Sequence, residues 1–414
     1  MSAQRRVDFD IAIVGGGIVG PAVAGLLAAN ERTAQWRVAL IERNEPRPPE
    51  AGRIDLRVSA ISRASQRILQ AAGAWAAVEA DAAPYSDVVV WDATSRHDAA
   101  DALRFSAAET GEPDLGAIVE NLRLQWALVE ASNVRKATVL RTGLEQLEVT
   151  PEHVRLELSD QRSVRASLVI AADGGQSRTR ELAGIERVGR DYDQAAVVAH
   201  LRPSRPHEQT AWQRFTPQGP LALLPLGDGR VSTVWTLDPD SATELCAAGA
   251  REFAARITAA SDEVLGCLEL DSERASFPLG RWQAAAYCRP RVVLVGDAAH
   301  TIHPLAGQGA NLGLLDAAAL VEVLGDAVAN DEDWTGLRTL RRYERWRRSE
   351  NTLVMGLTDG LNRLFGNAHE SAIALRRFGL GVVATQPWMR RALIERALGV
   401  AGEVPRIVSR VTLA

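Results

Sequence analysis

The sequence has little of several features that would mark particular classes of protein. Lysine is nearly missing, since Lys136 is the only one, and the net charge of −5 provides no global basic field for binding nucleic acid. There are three cysteines, Cys246, Cys267 and Cys288, in no close pair with metal-ligand spacing. An odd number argues against a disulfide framework, so we expect reduced thiols and a cytosolic protein.

Long apolar runs are also missing. No stretch of about 18 uninterrupted apolar residues occurs, which argues against a membrane-spanning helix. Residues 312–328 come closest, but Asp316, Glu322 and Asp326 interrupt them. Residues 1–10 are polar and lack the apolar core of a signal peptide. We therefore expect a cytoplasmic location, and peripheral contact with the inner membrane stays open.

What is present fits an ordinary globular protein of more than one domain. The chain has 414 residues, of which 46% are hydrophobic and 24% charged. Strand-like and helical stretches alternate near its start, alternating polar and apolar residues fill 192–237, and the pattern after Asn311 is helical throughout. The sequence therefore predicts an α/β fold with a parallel sheet, an inserted antiparallel sheet and a helical C-terminal tail.

The individual elements follow from these patterns. For the parallel sheet we predict strands at 9–14, 37–42, 168–172 and 291–295, helices at 22–29, 65–80 and 121–132, and a hairpin of 139–149 with 154–158. For the inserted layer we predict strands at 88–91, 195–201, 210–216, 220–225 and 230–237, followed by a helix near 243–260.

A glycine-rich turn directly follows the first predicted strand and opens the first predicted helix. Gly15, Gly17 and Gly20 allow a tight turn and let backbone N–H groups approach a pyrophosphate. Glu42 ends the second strand, about twenty residues later, where an acid can accept hydrogen bonds from ribose hydroxyls. Strand, helix, second strand and acid together favour dinucleotide binding over a purely structural turn.

Two further motifs follow later strands. The run from Ala172 to Arg180 begins with Asp173-Gly174, and alone it is read as a turn in which Ser177 caps the next helix. In the other motif, Asp297 follows an apolar strand at a position suited to a ribose or ribitol hydroxyl. Gly307, Gly309 and Gly313 would keep the following helix start open to an electron-rich ring or an anion.

Other chemistries have weaker support. His300 and His303 have the spacing of a metal pair, but no further ligand accompanies them, and we expect no metal. No Gly-x-Ser-x-Gly elbow occurs, and no cysteine stands beside a suggestive partner, so a nucleophilic mechanism is not indicated.

The motifs resemble those of the single-component FAD-dependent aromatic hydroxylases, the class A flavoprotein monooxygenases with the p-hydroxybenzoate hydroxylase fold. Within that group the chain looks most like the ubiquinone-biosynthesis hydroxylases, and the resemblance covers nearly the whole chain. Besides the first two motifs, it rests on residues 55–62, 73–75, 120–121, Gln125, 277–279, 296–313 and 343–345.

This resemblance implies a Rossmann-like FAD-binding domain, an antiparallel substrate domain inserted in it, and C-terminal helices. The implied boundaries are 1–85, 121–190 and 286–330 for the FAD-binding domain, 86–120 and 191–285 for the substrate domain, and 331–414 for the C-terminal helices.

The resemblance also implies roles for matching residues. Gly15, Gly17, Gly20 and Glu42 would hold the adenosine half of FAD, Arg57 and Gln125 its pyrophosphate region, and Gly296 and Asp297 its ribitol. Gly307, Gln308, Gly309, Ala310 and Asn311 would lie along the isoalloxazine, with Gly309 to Asn311 presenting their backbone. Asp173 and Arg180 belong to a motif linked to both FAD and NAD(P)H. The catalytic residues are unidentified, with His303, Pro304 and Leu305 as flavin-proximal candidates.

The function implied is hydroxylation of a polyprenyl phenol or related quinone precursor. Reduced FAD would activate O2 as a C4a-hydroperoxide, with NAD(P)H as the electron donor, so no catalytic triad is needed. A prenylated substrate needs an apolar channel. Trp212, Phe215, Leu221, Leu223 and Leu224 could form one wall of it, or they could simply be core residues.

Alternatives remain at this point. The enzyme could hydroxylate a small soluble aromatic, or the chain could be a non-catalytic flavin-binding scaffold of a biosynthetic complex. Phe378, Leu380, Trp388 and Met389 lie beside Arg376, Arg377, Arg390 and Arg391 and could contact an anionic membrane surface. Because Ile394 and Leu398 share a face with charged residues, a packed tail or a contact between identical subunits is the favoured interpretation.

Overall fold

The computed structural model describes residues 7–50, 52–131, 133–302, 308–365 and 386–409. Its strands are β1 (Phe9–Val14), β2 (Val38–Ile41), β3 (Val58–Ser62), β4 (Ala83–Tyr85), β5 (Asp87–Asp92), β6 (Leu103–Ser106), β7 (Gly116–Glu120), β8 (Thr138–Leu140), β9 (Leu144–Val149), β10 (Val154–Leu158), β11 (Ser163–Ala171), β12 (Arg187–Pro203), β13 (Thr210–Thr216), β14 (Gly219–Pro225), β15 (Val231–Leu237), β16 (Leu268–Ala284), β17 (Cys288–Arg289), β18 (Val292–Leu294) and β19 (His300–Thr301).

The α-helices are α1 (Val19–Ala29), α2 (Arg63–Ala71), α3 (Asn121–Glu130), α4 (Arg178–Leu182), α5 (Pro239–Ala247), α6 (Ala250–Ala260), α7 (Gln308–Ala329), α8 (Leu337–Phe365) and α9 (Pro387–Ala397). Short 3-10 helices cover Trp75–Ala77, Glu79–Asp81, Ala107–Glu109, Val134–Lys136 and Gly296–Ala298.

The first sheet has a parallel centre in the order β18-β11-β1-β2-β8, with β17 antiparallel at the β18 edge. Its central strands read as continuous apolar runs because both faces are covered. One face packs against α1, α2 and α7 in the largest hydrophobic core of the described residues, and the other packs against the β9–β10 hairpin. The four predicted strands of the parallel sheet are present, and residues 144–149 pair with 154–158 as predicted. Residues 139–140, which were expected in the hairpin, instead belong to β8, which pairs in parallel with β2.

The second sheet is antiparallel apart from the β13–β5 pair and runs β19-β16-β12-β15-β14-β13-β5-β6. Side chains alternate between its faces. Val197, Leu221, Leu223 and Trp235 point to the outer face, where α5 and α6 cover them in a separate core. The inner face looks toward the first sheet. This is the inserted antiparallel layer that the sequence predicts, and the fold class is confirmed.

A small sheet of β3, β7 and β4 lies between the two larger ones, and the C-terminal helices pack onto this junction. Ile394 of α9 and Leu398, which directly follows the helix, are buried against Ala107 and Leu115. The packed-tail interpretation therefore holds for α9, whereas residues 376–380 lie outside the described part. No helix among the described residues is long and apolar enough to cross a membrane.

Several element predictions need correction. The helix expected at 65–80 begins at Arg63 and ends at Ala71, shortly before Gly73 with φ of +84°. The helix expected near 243–260 is two helices, because Ala248 and Gly249 have extended backbone. The long strand β16 and the small third sheet were not anticipated. The domain boundaries stay predictions.

Candidate functional site

The three motifs follow the carboxyl ends of three neighbouring parallel strands. Val14 of β1, Ala171 of β11 and Leu294 of β18 lie side by side in register. The loops that continue from them start at the same edge of the sheet, where ligands of open α/β folds bind. The topology therefore assembles one site from segments nearly 300 residues apart in the sequence.

The first motif is packed so tightly that two of its glycines allow no side chain. Gly15 has φ of +113°, and a Cβ there would lie 2.3 Å from the carbonyl oxygen of Ala172 in the middle motif. A Cβ on Gly20 would lie 1.9 Å from Gly15 O. At Gly17, by contrast, the described residues place no atom within 4 Å beyond its chain neighbours. The loop thus leaves open space at the start of α1.

The start of α1 has its backbone donors free of side-chain caps. Ile18 is the N-cap residue and makes no side-chain cap, and the first turn carries no acidic residue. Helix N–H groups in this state bind phosphate groups well, with the helix dipole adding partial positive charge.

Glu42 and Gln125 brace the glycine loop. The Glu42 carboxylate accepts hydrogen bonds from Gly16 N at 2.6 Å and from Asn44 N at 2.8 Å. Gln125 Nε2 donates to Gly16 O at 2.7 Å. The structure thus brings both predicted residues to the first motif, and their roles as ligands of ribose and pyrophosphate stay predictions.

The middle motif has the turn-and-cap geometry expected for it in isolation. The Asp173 carboxylate accepts from Thr179 N at 2.9 Å and from the hydroxyls of Thr179 and Ser177. Ser177 Oγ accepts from Arg180 N at 3.0 Å and caps α4. Arg180 is buried, and burial lowers its pKa. Its guanidinium donates to Gly175 O and Ala298 O, both at 3.0 Å, and so ties this motif to the third.

The third motif packs against the first. A Cβ on Gly296 or on Gly313 would lie 3.0 or 2.6 Å from Val19 Cγ2, at the start of α1. Gly296 also has φ of +59°, in the left-handed region. These contacts complete a ring of close approaches, since the first motif contacts the middle one and Arg180 joins the middle to the third.

Asp297 directly follows Gly296, which takes part in this ring of contacts. The residue is exposed, yet nearby protein desolvates its carboxyl enough to raise the pKa. The charges of His300 and Arg57 act in the opposite direction. Arg57 in turn lies 5.8 Å from the ring centre of Phe277, on the second sheet. Asp297 is thus placed where both sheets meet.

Asn311 anchors the start of α7. Its Oδ1 accepts from Ser62 N at 3.0 Å and its Nδ2 donates to Ala60 O at 2.7 Å, so the buried side chain is committed to β3. Among the described residues no atom lies near a Cβ on Gly309. Gly307 and the candidates His303, Pro304 and Leu305 lie outside the described residues, and Gln308 is the first residue of α7.

Sequence reasoning missed a buried polar group directly behind this site. Asp316 of α7 accepts from His300 Nε2 at 2.5 Å, from Arg347 Nε at 2.8 Å and from Asn351 Nδ2 at 3.1 Å. In the sequence, Asp316 stands out only as an interruption of an apolar run. Two signals could have revealed its role: a carboxylate inside an otherwise buried helix needs partners, and Arg347 and Asn351 are spaced to share one helix face.

The two faces of the second sheet decide which residues can meet a substrate. Trp212, Leu221 and Leu223 belong to the outer core, so for these three the core interpretation is correct. Leu224 points inward and packs beside β3 and β7. Ala222, its neighbour on the inner face, is only half-buried.

These features fit FAD. A Cβ placed on Gly17, Gly174 or Gly309 would contact none of the described residues beyond its chain neighbours, so a cofactor has room to lie directly against the backbone there. The start of α1, which has no side-chain cap, suits a pyrophosphate. The described residues contain no group of three or more His, Cys, Asp or Glu side chains that could hold a metal ion. Fold and site define a flavoprotein oxidoreductase with an antiparallel domain over the cofactor edge.

Comparison with known proteins agrees. The family model described as "FAD binding domain" matches residues 8–355. The chain is 37% identical to 3-demethoxyubiquinol 3-hydroxylase of Escherichia coli, over 94% of this chain and 98% of that one. It is 36% identical to ubiquinone hydroxylase UbiL of Rhodospirillum rubrum, over 98% and 93%. The chain belongs to the ubiquinone-biosynthesis family of FAD-dependent hydroxylases, and it is an FAD-dependent monooxygenase.

Solved structures share the fold at lower identity. The p-nitrophenol 4-monooxygenase PnpA of Pseudomonas putida superposes with a TM-score of 0.71 at 19% identity, covering 94% of this chain and 98% of that one. PqsL of P. aeruginosa, in complex with 2-aminobenzoylacetate, superposes with a TM-score of 0.73 at 22% identity, covering 90% and 99%.

Proposed function

We propose that this protein hydroxylates the ring of a polyprenyl phenol or a related quinone precursor. One ring C–H becomes C–OH with one atom of O2, the other oxygen atom leaves as water, and NAD(P)H supplies the two electrons. FAD, when bound, carries the electrons and activates the oxygen. The observation that carries the proposal is that the edge of the first sheet where the three motifs meet faces a surface of the second sheet whose middle is apolar.

Three contacts support this orientation of the second sheet. Phe277 of β16 lies against Arg57, and His200 Nε2 of β12 hydrogen-bonds to Asp55 O at 3.0 Å. Leu224 of β14 packs in the cluster that contains Ala60 of β3. All three side chains belong to the inner face, so that face borders the segment leading into β3 and the cofactor site.

The middle of the inner face suits a hydrophobic ring. Val198, Val234 and Ala222 are register partners across β12, β15 and β14 and therefore share this face. Val234 and Ala222 are half-buried, in contrast to the fully buried alternate residues on the outer face. An apolar surface of this kind would pack against a phenol ring and an isoprenoid chain.

The full-length relatives support the substrate class. Besides the two bacterial proteins, a 34% identical relative is the mitochondrial ubiquinone biosynthesis monooxygenase COQ6 of Danio rerio, with 95% of this chain and 90% of that one aligned. Their names describe a demethoxyubiquinol hydroxylase, a ubiquinone hydroxylase and a monooxygenase of ubiquinone biosynthesis. A membrane-dissolved substrate would have to be collected at a bilayer surface, so peripheral contact with the inner membrane is part of the proposal.

We assign the site residues as follows. Gly15, Gly17, Gly20 and Glu42 would hold the adenosine half of FAD. Arg57 and Gln125 would bind its pyrophosphate region, and Gly296 and Asp297 its ribitol. Gly307, Gln308, Gly309, Ala310 and Asn311 would line the isoalloxazine. For Asp173 and Arg180 we propose support of the cofactor loops, because their side chains hydrogen-bond within the protein.

The first test measures flavin reduction in purified protein under anaerobic conditions. FAD released on denaturation should be stoichiometric, and NAD(P)H should reduce it faster when a prenylated phenol is present than with the unprenylated phenol. Faster reduction with the unprenylated ring alone would instead support a hydroxylase of small soluble aromatics. FAD binding without any hydroxylated product would support the scaffold alternative.

The second test identifies the substrate in cells. Deleting the gene and analysing the lipids by mass spectrometry should reveal an accumulated prenylated ring that lacks one hydroxyl-derived oxygen. An unchanged quinone pool with no accumulated precursor would contradict the proposal.

A further inference from the structure

The buried carboxylate of Asp316 holds both ends of the turn that carries Asp297. Its Oδ2 accepts from Gly296 N at 3.1 Å, on one side of Asp297, and from His300 Nε2 at 2.5 Å, on the other. Asp316 and His300 are both essentially without solvent contact. Asp316 of α7 therefore ties together the two ends of the Gly296–His300 turn, while Arg180 donates to Ala298 O in the middle of it.

A second layer holds this carboxylate in place. Oδ1 of Asp316 accepts from Arg347 Nε and Asn351 Nδ2, and Arg347 Nη2 donates to Asn351 Oδ1 at 2.9 Å. Burial would by itself raise the pKa of Asp316, but His300 and Arg347 outweigh it and hold the pKa at about 2. The carboxylate is thus charged, directed from both sides and unable to rotate.

His300 is the member of this group that reaches the cofactor turn. Its Nε2 carries the proton donated to Asp316, while its Nδ1 is buried and has no hydrogen-bond partner within the described ranges. The ring is therefore held through Nε2 and by packing beside Tyr287. A glutamine amide could keep the Nε2 contact, whereas an apolar side chain could not.

The cost of desolvating a buried ion pair often cancels the attraction between its charges, so apolar residues in its place commonly give a protein of similar stability. Stability alone therefore does not explain this network. We propose that His300, held by Asp316, is a positioning residue for FAD. It acts through Asp297, by keeping the Gly296–His300 turn in the shape that presents the Asp297 carboxylate to the ribityl hydroxyls. The inference rests on the Asp297 assignment made under the proposed function.

The test measures FAD affinity of the apoprotein by flavin fluorescence titration, together with the melting temperature without FAD. For His300→Leu we expect the Kd for FAD to rise about tenfold or more, the size expected when one charge-assisted hydrogen bond is lost. His300→Gln should restore the Kd to within about threefold of the wild type, since it keeps a donor toward Asp316.

Thr33→Val is the matched control. Thr33 is buried and follows the C-terminal end of α1, away from the glycine loop. Its hydroxyl donates to Leu27 O at 2.7 Å. This variant should lower the melting temperature while leaving the Kd for FAD unchanged. If His300→Leu behaves like Thr33→Val, with lower stability and unchanged affinity, the role of His300 is only structural and the inference is overturned.

A double-mutant cycle tests whether His300 acts through Asp297. In an Asp297→Ala background, His300→Leu should raise the Kd by less than about threefold, because the carboxylate that it positions is gone. Full additivity of the two effects would overturn the inference. If Asp297→Ala alone leaves FAD affinity unchanged, the ribitol assignment fails instead, which separates the two failures.

Discussion

Arg180 donates from Nη1 to the backbone carbonyl of Ala298 at 3.0 Å, and this bond joins two segments separated by more than a hundred residues. The other terminal nitrogen, Nη2, donates a hydrogen bond to Gly175 O. A residue that the motif associates with the cofactors therefore has its guanidinium committed to loop carbonyls. Its contribution to FAD binding would come from holding two loops together.

Arg180→Met should consequently destabilise the protein. The substitution leaves the buried carbonyl of Ala298 and the partly buried carbonyl of Gly175 without their donor, which costs about 2–4 kcal/mol of unfolding free energy. Arg180→Lys should recover part of the loss, because an ammonium can reach one carbonyl. Urea unfolding of the apoprotein measures both. Unchanged stability combined with lost FAD would identify Arg180 as a direct ligand.

The glycine loop offers a matched pair of substitutions. Gly20→Ala should abolish folding or severely destabilise the apoprotein, since the new Cβ would lie 1.9 Å from Gly15 O. Gly17→Ala should leave the melting temperature nearly unchanged, because its Cβ meets open space among the described residues, but it should weaken FAD binding by filling that space. Equal FAD affinity in Gly17→Ala and wild type would place the pyrophosphate elsewhere.

The two faces of β14 give opposite expectations. Ala222→Phe adds bulk to the half-buried inner face and should reduce turnover of a prenylated phenol at least tenfold, with full FAD content and unchanged stability. Leu223→Ala removes a buried outer side chain and should cost about 2–5 kcal/mol of stability. Steady-state kinetics and urea titrations on both variants check this. A selective loss of turnover in Leu223→Ala would mean that the faces are assigned wrongly.

The pKa of Asp316, about 2, predicts a specific acid sensitivity. Because this pKa is below the unfolded value near 4, the carboxylate stabilises the fold fully above that value, and the stabilisation of about 2 kcal/mol is lost as the pH falls from 4 through 2. The double variant Asp316→Leu/Arg347→Leu removes the charges together. We expect the difference in unfolding free energy between the wild type and this variant, measured by urea unfolding, to change by about 2 kcal/mol between pH 4 and pH 2. A pH-independent difference would contradict the prediction.

Much of this architecture is predictable from local pattern. The apolar strands ending in glycine or Asp-Gly locate the parallel sheet, and the order of the motifs implies that they converge, as they do at Gly15, Ala172 and Val19. Such strands can be recognised in the sequence because they are apolar on both faces and are followed directly by turn residues.

The parts that escaped prediction depend on partners distant in sequence. Strand β16 pairs along its length with β12, but alternation is masked where charged residues such as Glu273 and Arg274 occur in it. The role of Asp316 needs Arg347 and Asn351 from another helix, and nothing local to α7 indicates that pairing. The motifs predict that Asn311 and Glu42 belong to the site, but they do not predict which protein atoms these two side chains hydrogen-bond to.

The long β12–β16 ribbon has a mechanical consequence. Beyond its pairing inside the second sheet, β16 also pairs with β19, where Trp282 lies opposite Thr301 and Gln283 opposite His300. Continuous strands thus run from the antiparallel sheet to the third motif, where His300 and Thr301 form β19. The two sheets cannot swing apart about a flexible joint without breaking these ladder bonds, so entry of the proposed prenylated substrate would require local movement of loops and helices instead.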